Sequence, residues 1–210
     1  MPYENKSSKT QAVLQERREN TARITSELET QGYHAEDATV SIVKANVMAC
    51  VTALPLAAAF CVAFFLLNRD ISPFRSFVDN YLLIMAAMLV SVPVHEFLHG
   101  CGWVLSCRKK WKSIQFGVMW DSLTPYCHCR EAMGVMPYYV GLLMPLTVLG
   151  ILPCILALVL KQPLLLWAGA YNVFVAGGDT TIAWIILKYL GRDAKILDHP
   201  DQCGAVGFVR

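Results

Sequence analysis

The sequence predicts an all-α membrane protein: four transmembrane helices, a polar cytoplasmic arm ahead of them, and a small β-hairpin between the second and third. Three observations carry this. Of 210 residues, 55% are hydrophobic and only 16% charged, whereas a soluble domain is about 45–50% apolar and about 25% charged. The excess is gathered into four blocks, each longer than the roughly 20 residues a helix needs to span a bilayer. The cations are then shared very unevenly between the segments that separate those blocks.

Residues 1–42 form the arm. They are rich in Glu, Arg, Lys, Ser and Thr, with weak helical periodicity at Val13, Leu14, Ile24 and Leu28. A mobile or loosely helical, solvated segment is expected, with a partner-docking helix as the lesser alternative. No apolar signal-peptide core is present in these residues, so the first apolar block serves as an uncleaved anchor. That block, 45–67, contains no charge. The second, 81–105, is interrupted only by His95, Glu96 and His99. The third is 138–160, and the fourth, 164–187, carries a single charge, Asp179. Only Lys161, Gln162 and Pro163 separate the last two, which makes them an antiparallel helical hairpin. The membrane domain is thus 43–190, followed by a tail, 191–210.

Orientation follows from the cations. With a cytoplasmic N-terminus, fifteen Lys and Arg residues fall in inside segments and three (Arg69, Arg75 and Lys161) outside. That is a strong positive-inside bias. Both termini and the 106–137 loop are therefore expected in the cytoplasm. Within the loop, Ile114, Phe116 and Val118 alternate, Asp121-Ser122-Leu123-Thr124 reads as a turn, and 126–130 returns as a second strand. Together they give a hairpin over about 111–130. The net charge of +2 is too small to suggest nucleic acid as a partner. The eight cysteines lie mostly in or beside apolar runs and are expected to be reduced.

The chemistry is concentrated in His95-Glu96-Phe97-Leu98-His99. On a helix the two histidines share a face, as a tetrahedral zinc site needs, and Glu96 is placed to act as a base. Ionisable groups at membrane depth cost roughly 2.5–3.5 kcal/mol each on insertion scales and are functional by default. A bundle helix with its histidines paired to carbonyls is the alternative. Zinc needs a third protein ligand, and Asp179 is the candidate. It lies about eight residues from the cytoplasmic end of its block, as the histidine pair does in the second, so both sit at similar depth. Gly177 and Gly178 let that backbone approach a neighbour, and Gly100 and Gly102 are given a matching packing role. Pro93 is expected to kink the helix ahead of His95. Zinc would bring the pKa of a bound water towards neutrality. Glu96 would act as general base and then acid, and Asn172 is a candidate oxyanion donor.

The His95-Glu96-Phe97-Leu98-His99-Gly100 segment resembles that of site-2 proteases, in which an Asp on a later span is the third ligand and an Asn precedes it. The usual N-P and L-D-G elements are absent here. The chain is more closely similar to a family of small bacterial membrane proteins described as zincin peptidases. That similarity extends over Gly32-Tyr33, Lys44-Ala45-Asn46, the motif, Phe116-Gly117, Met144-Pro145, Asp198-His199-Pro200 and Gly207-Phe208. It implies a metallopeptidase acting on membrane-protein or peptide substrates, with no substrate specified. A catalytically inactive metal-binding scaffold is the competing class. The site-2 resemblance also implies a use for the hairpin: an edge strand that pairs with an unwound substrate segment, with Phe116, Cys127 and Cys129 as contacts. A structural cap on the bundle is the alternative. Cys127-His128-Cys129 as a second metal site, and Asp198 or His199 as alternative ligands or supporting groups behind the ligands, are weaker readings. Asp198-His199-Pro200 is more simply a turn that fastens the tail, and His34 is expected to be solvated.

Overall fold

The computed structural model describes residues 2–120 and 124–210. Asp121, Ser122 and Leu123, assigned above to the hairpin turn, lie outside them. The chain runs α1 (Pro2–Glu29), β1 (His34–Thr39), α2 (Ile42–Leu67), α3 (Pro73–Asp79), α4 (Tyr81–Val104), β2 (Ile114–Met119), β3 (Thr124–Cys129), β4 (Met133–Gly134) and α5 (Val135–Pro145). It continues through α6 (Leu152–Leu160), α7 (Pro163–Val175), α8 (Gly177–Ile186), β5 (Ala194–Asp198) and β6 (Gly204–Val209). It divides into two units, one formed by Val43–Leu98 and Leu143–Thr181, the other by the segments up to Ile42, His99–Leu142 and Ile182–Arg210.

The first unit is helical and apolar. Among the described residues three stretches are long and apolar enough to cross a membrane: Val43–Leu67, Tyr81–Val104 and Val135–Leu160, with mean hydropathies of 2.4, 1.8 and 2.5. A fourth exists if α7 and α8, bent by 44° about Ala176, count as one. The expected spans therefore have helical counterparts, but the fourth is broken. The third is continuous only through a π-helical turn, Leu146–Ile151, that follows Pro145. Proline removes one helical hydrogen bond, and a wider turn is one way a helix absorbs that loss. Helix α4 runs through Pro93 as one element. Leu146, Cys154, Val173 and Ala176 form a buried cluster with Leu56 and Phe60 packed on it. Large apolar side chains such as Val51, Leu82 and Leu89 stay two-thirds or more exposed, which suits acyl chains and not water. Helix α3 is capped by Ser72, whose Oγ accepts from the Arg75 N–H at 3.3 Å. It is tied to α7 by the Trp167 Nε1–H donating to Pro73 O at 3.0 Å.

The second unit corrects the all-α expectation. It holds the hairpin, β2 paired antiparallel with β3, and a four-stranded antiparallel sheet in the order β1-β6-β5-β4. The arm takes the helical alternative, α1 being a 28-residue helix, and it ends in an edge strand, β1. Their docking is mostly polar, which is why no apolar stripe announces it. Arg17 is buried, its Nε–H donating to Gln115 Oε1 at 3.1 Å and its guanidinium 4.2 Å from the Tyr126 ring centre. Asn20 donates to Arg130 O at 2.9 Å, and Arg18 pairs with Asp201. Among the described residues of α1, Ile24 and Leu28 join an apolar cluster with Tyr33, Leu197 and Phe208. The tail is likewise structured as β5 and β6, and Asp198-His199-Pro200 opens the connection between them. That turn is fastened by His199 Nδ1, which accepts from the Gln202 N–H at 2.9 Å. The main core of this unit gathers Trp103, Ile114, Cys129, Tyr138, Tyr189 and Ile196.

Candidate metal centre

His95 and His99 lie one turn apart on α4, and both are buried. Asp179 enters from the first turn of α8. Its approach is made possible by Gly177, where a Cβ would stand 2.8 Å from Ala49 Cβ and 3.1 Å from Ala49 Cα on α2. Thr180 and Thr52 share a hydroxyl–hydroxyl hydrogen bond of 2.7 Å in the same contact. Gly178 has open space around it, so of the two glycines only Gly177 makes the expected close approach. A carboxylate at a helix N-terminus also meets the positive end of the helix dipole.

The carboxylate Oδ2 of Asp179 is 3.1 Å from His95 Nε2. These two residues belong to one unit, and His99 follows His95 along the same unbroken helix. One ligand atom from each of His95, His99 and Asp179 lies within 4.8 Å of the others. The set fits zinc. With bonds of about 2.1 Å, a tetrahedral ion separates its ligand atoms by about 3.4 Å, and two imidazoles with one carboxylate leave a position open.

The His99 ring is fixed from two sides. Its Nδ1 is 3.0 Å from Gly141 O on α5. As donor in that bond, Nδ1 leaves Nε2 to face a metal, the usual outer-shell arrangement for a ligating histidine. The Trp103 indole stacks on the imidazole, with centroids 5.3 Å apart and planes at 15°. Glu96 is half-buried and adjacent to His95. Asn172 is buried on α7; its Nδ2 donates to Ala168 O at 2.8 Å and its Oδ1 has no hydrogen-bond partner among the described residues. One amide hydrogen is thus committed to its own helix.

The hairpin meets the metal-bearing helix at Gly100. A Cβ there would come within 2.5 Å of Phe116 Cζ and 3.1 Å of Ile114 Cγ2. Phe116 therefore packs one residue beyond His99 while remaining 45% exposed. Cys127 pairs with Phe116 in the ladder and is partly exposed. Cys129 is different. It is fully buried, with its Sγ 3.5 Å from Cys107 Sγ, so it is withdrawn as a substrate contact. The hydrogen bond to Cys107, with burial second, pushes its thiol pKa strongly up and keeps it protonated. His128 instead lies 3.7 Å from Asp198 Oδ2. Among the described residues the metal-capable cluster is the His95, His99 and Asp179 group; neither Cys127-His128-Cys129 nor Asp198 with His199 forms a second one.

Trp103, Tyr138 and Gly141 are parts of this arrangement that the sequence reading does not single out. None carries a recognisable metal-site spacing. A tryptophan one turn after the second histidine was the available signal.

Apolar helices thus accompany a cluster of two α4 histidines and one α8 carboxylate that could hold a metal ion. Residues 88–191 of the 210 match the profile of the family described as "Putative zincin peptidase". The matched stretch includes His95, Glu96, His99, Asn172 and Asp179, and excludes α1, β1, α2 and most of the tail. The resemblances at Gly32-Tyr33 and Asp198-His199-Pro200 fall outside it. No curated protein and no solved structure matches the chain.

Proposed function

We propose that this chain is an integral membrane zinc metallopeptidase that hydrolyses peptide bonds of membrane or membrane-proximal substrates. The observation that carries the reading is the convergence of His95 and His99 with Asp179, eighty residues further along the chain, beside Glu96. His95, His99 and Asp179 would hold a zinc ion, which when bound would supply Lewis-acid polarisation of the scissile carbonyl and acidify a water. Glu96 takes the proton from that attacking water and passes it to the leaving amine. Asn172 offers its second amide hydrogen to the oxygen that gains charge on the scissile carbonyl. Phe116 and Cys127, on the exposed part of the hairpin, receive an extended substrate segment.

A bilayer arrangement with four crossings and both termini in the cytoplasm accompanies this reading. It is supported by the sheet β1-β6-β5-β4, whose strands come from before the first span, between the second and third, and after the last. Strands of one sheet share one side of the membrane, so α7 and α8 together must cross once. The fifteen-to-three cation count then assigns that side to the cytoplasm.

The test is Glu96→Gln in purified protein, with zinc content and cleavage of a membrane-spanning candidate substrate measured together. Unchanged zinc with turnover reduced by about 10²–10⁴-fold is the expected result. Turnover equal to wild type would remove Glu96 from the mechanism. A wild type that binds zinc yet cleaves nothing would favour the inactive scaffold.

A further inference from the structure

We propose that Asp198 is a positioning residue that holds the metal ligand His99 and the hairpin strand β3 in fixed relation to each other. The inference rests on the metal reading above and concerns a residue outside both the motif and the matched family stretch.

The connection is continuous within one unit. Asp198, buried at the end of β5, has each carboxylate oxygen engaged by a different element. Its Oδ1 accepts from Tyr138 Oη–H at 2.6 Å, and its Oδ2 accepts from the Cys129 N–H at 2.7 Å. From Tyr138 two contacts lead towards the metal. Its ring stacks on Trp103, with centroids 5.5 Å apart, and its carbonyl accepts from Trp103 Nε1–H at 3.0 Å. Trp103 in turn covers His99. Trp103 also lies so close on Gly141 that any side chain there would overlap the indole, and Gly141 O is the acceptor for His99 Nδ1. From Cys129 the other branch leads along β3 to Cys127, which pairs with Phe116, and Phe116 rests on Gly100. Both branches return to the same turn of α4.

Chemistry explains why a carboxylate is used. Two donors must be satisfied at once at a buried position, and an ionised carboxylate accepts on both oxygens. Asparagine can accept from one of them but turns its own N–H towards the other. Tyr138→Phe keeps the ring that stacks on Trp103 and deletes the anchoring bond. Outer-shell partners of this kind set the ring orientation of a ligating histidine, and losing one weakens metal binding by about 10–100-fold.

The experiment replaces zinc by cobalt, whose visible absorption reports ligand geometry, in full-length detergent-solubilised protein. Wild type, Asp198→Asn, Tyr138→Phe and the double variant are compared, with Tyr33→Phe as control. That control deletes a 2.9 Å hydrogen bond to Asp193 elsewhere in the same unit. In both single variants the cobalt bands should shift and affinity fall by about 10–100-fold. The double variant should be no worse than the worse single one, because both cut one path. The control should retain the wild-type spectrum. Should Asp198→Asn fail to fold, Tyr138→Phe alone decides. Variants with lowered melting temperature but wild-type bands and affinity would overturn the proposal, leaving Asp198 a merely structural brace. A wild type that takes up no cobalt would overturn the metal reading itself, and this inference with it.

Discussion

Burial decides what His128 can do. It is 5% exposed, and that burial lowers its pKa from 6.5 to about 4; Asp198 opposes the shift, while Arg17, Arg130 and His199 add to it. Well above pH 6.5 the imidazole is uncharged in both folded and unfolded chains and its protonation has no effect on stability. As pH falls below 6.5 the unfolded chain takes up the proton and the folded one does not, so stability drops until about pH 4 and no further. Each pKa unit is about 1.4 kcal/mol, so the loss approaches about 3 kcal/mol. Unfolding measured from pH 7 to 4 in wild type and His128→Gln should differ by that slope. Identical pH profiles would mean that His128 is solvated. At this scale the sequence was clearest where chemistry is local: His95, Glu96 and His99 announce themselves by spacing. Asp179 was legible because a lone charge in an apolar block is expensive. Asp198 stood out less, as a weaker candidate, since an aspartate in a polar tail has no such cost until the tail folds over it.

Helical elements depend on where small residues meet other backbones. A Cβ at Gly102 would overlap the Gly141 Cα and stand 3.0 Å from its nitrogen. Backbone cannot swing aside, so Gly102→Ala should cost at least about 1–3 kcal/mol as overpacking and move α5 off the His99 turn. Gly178→Ala meets nothing within 4 Å and should be neutral or stabilise by up to about 1 kcal/mol through helix propensity. Thermal unfolding of the pair in detergent checks both signs. Nothing in the residue order tells these glycines apart, because proximity belongs to the partner helix. The β2–β3 hairpin was legible from alternation, since its strands are sequence neighbours. The sheet β1-β6-β5-β4 was not. Its edge strand is His34-Ala35-Glu36-Asp37-Ala38-Thr39, whose polar character protects a sheet edge and hides the strand from a hydrophobicity reading.

For the whole molecule, the spans were legible because a bilayer imposes length and apolarity on every helix that crosses it. The bend between α7 and α8 was not, although it is what lets Asp179 begin a new helix. The assembly of one sheet from three sequence-distant segments leads to a topological expectation. Impermeant thiol or protease probes applied to sealed vesicles should reach tags at both ends and in the 106–112 segment from the same face. The 68–72 connection and Lys161 should respond only from the other. Termini reached from opposite faces would contradict the four-crossing arrangement without touching the metal site.

The central claim, that two α4 histidines and an α8 carboxylate grip one ion, is tested most directly by counting zinc in the purified chain and in Asp179→Ala. One zinc per wild-type chain is expected, with affinity in the variant weakened beyond the roughly 10–100-fold cost of losing a supporting group. Full occupancy at wild-type affinity in Asp179→Ala would contradict it.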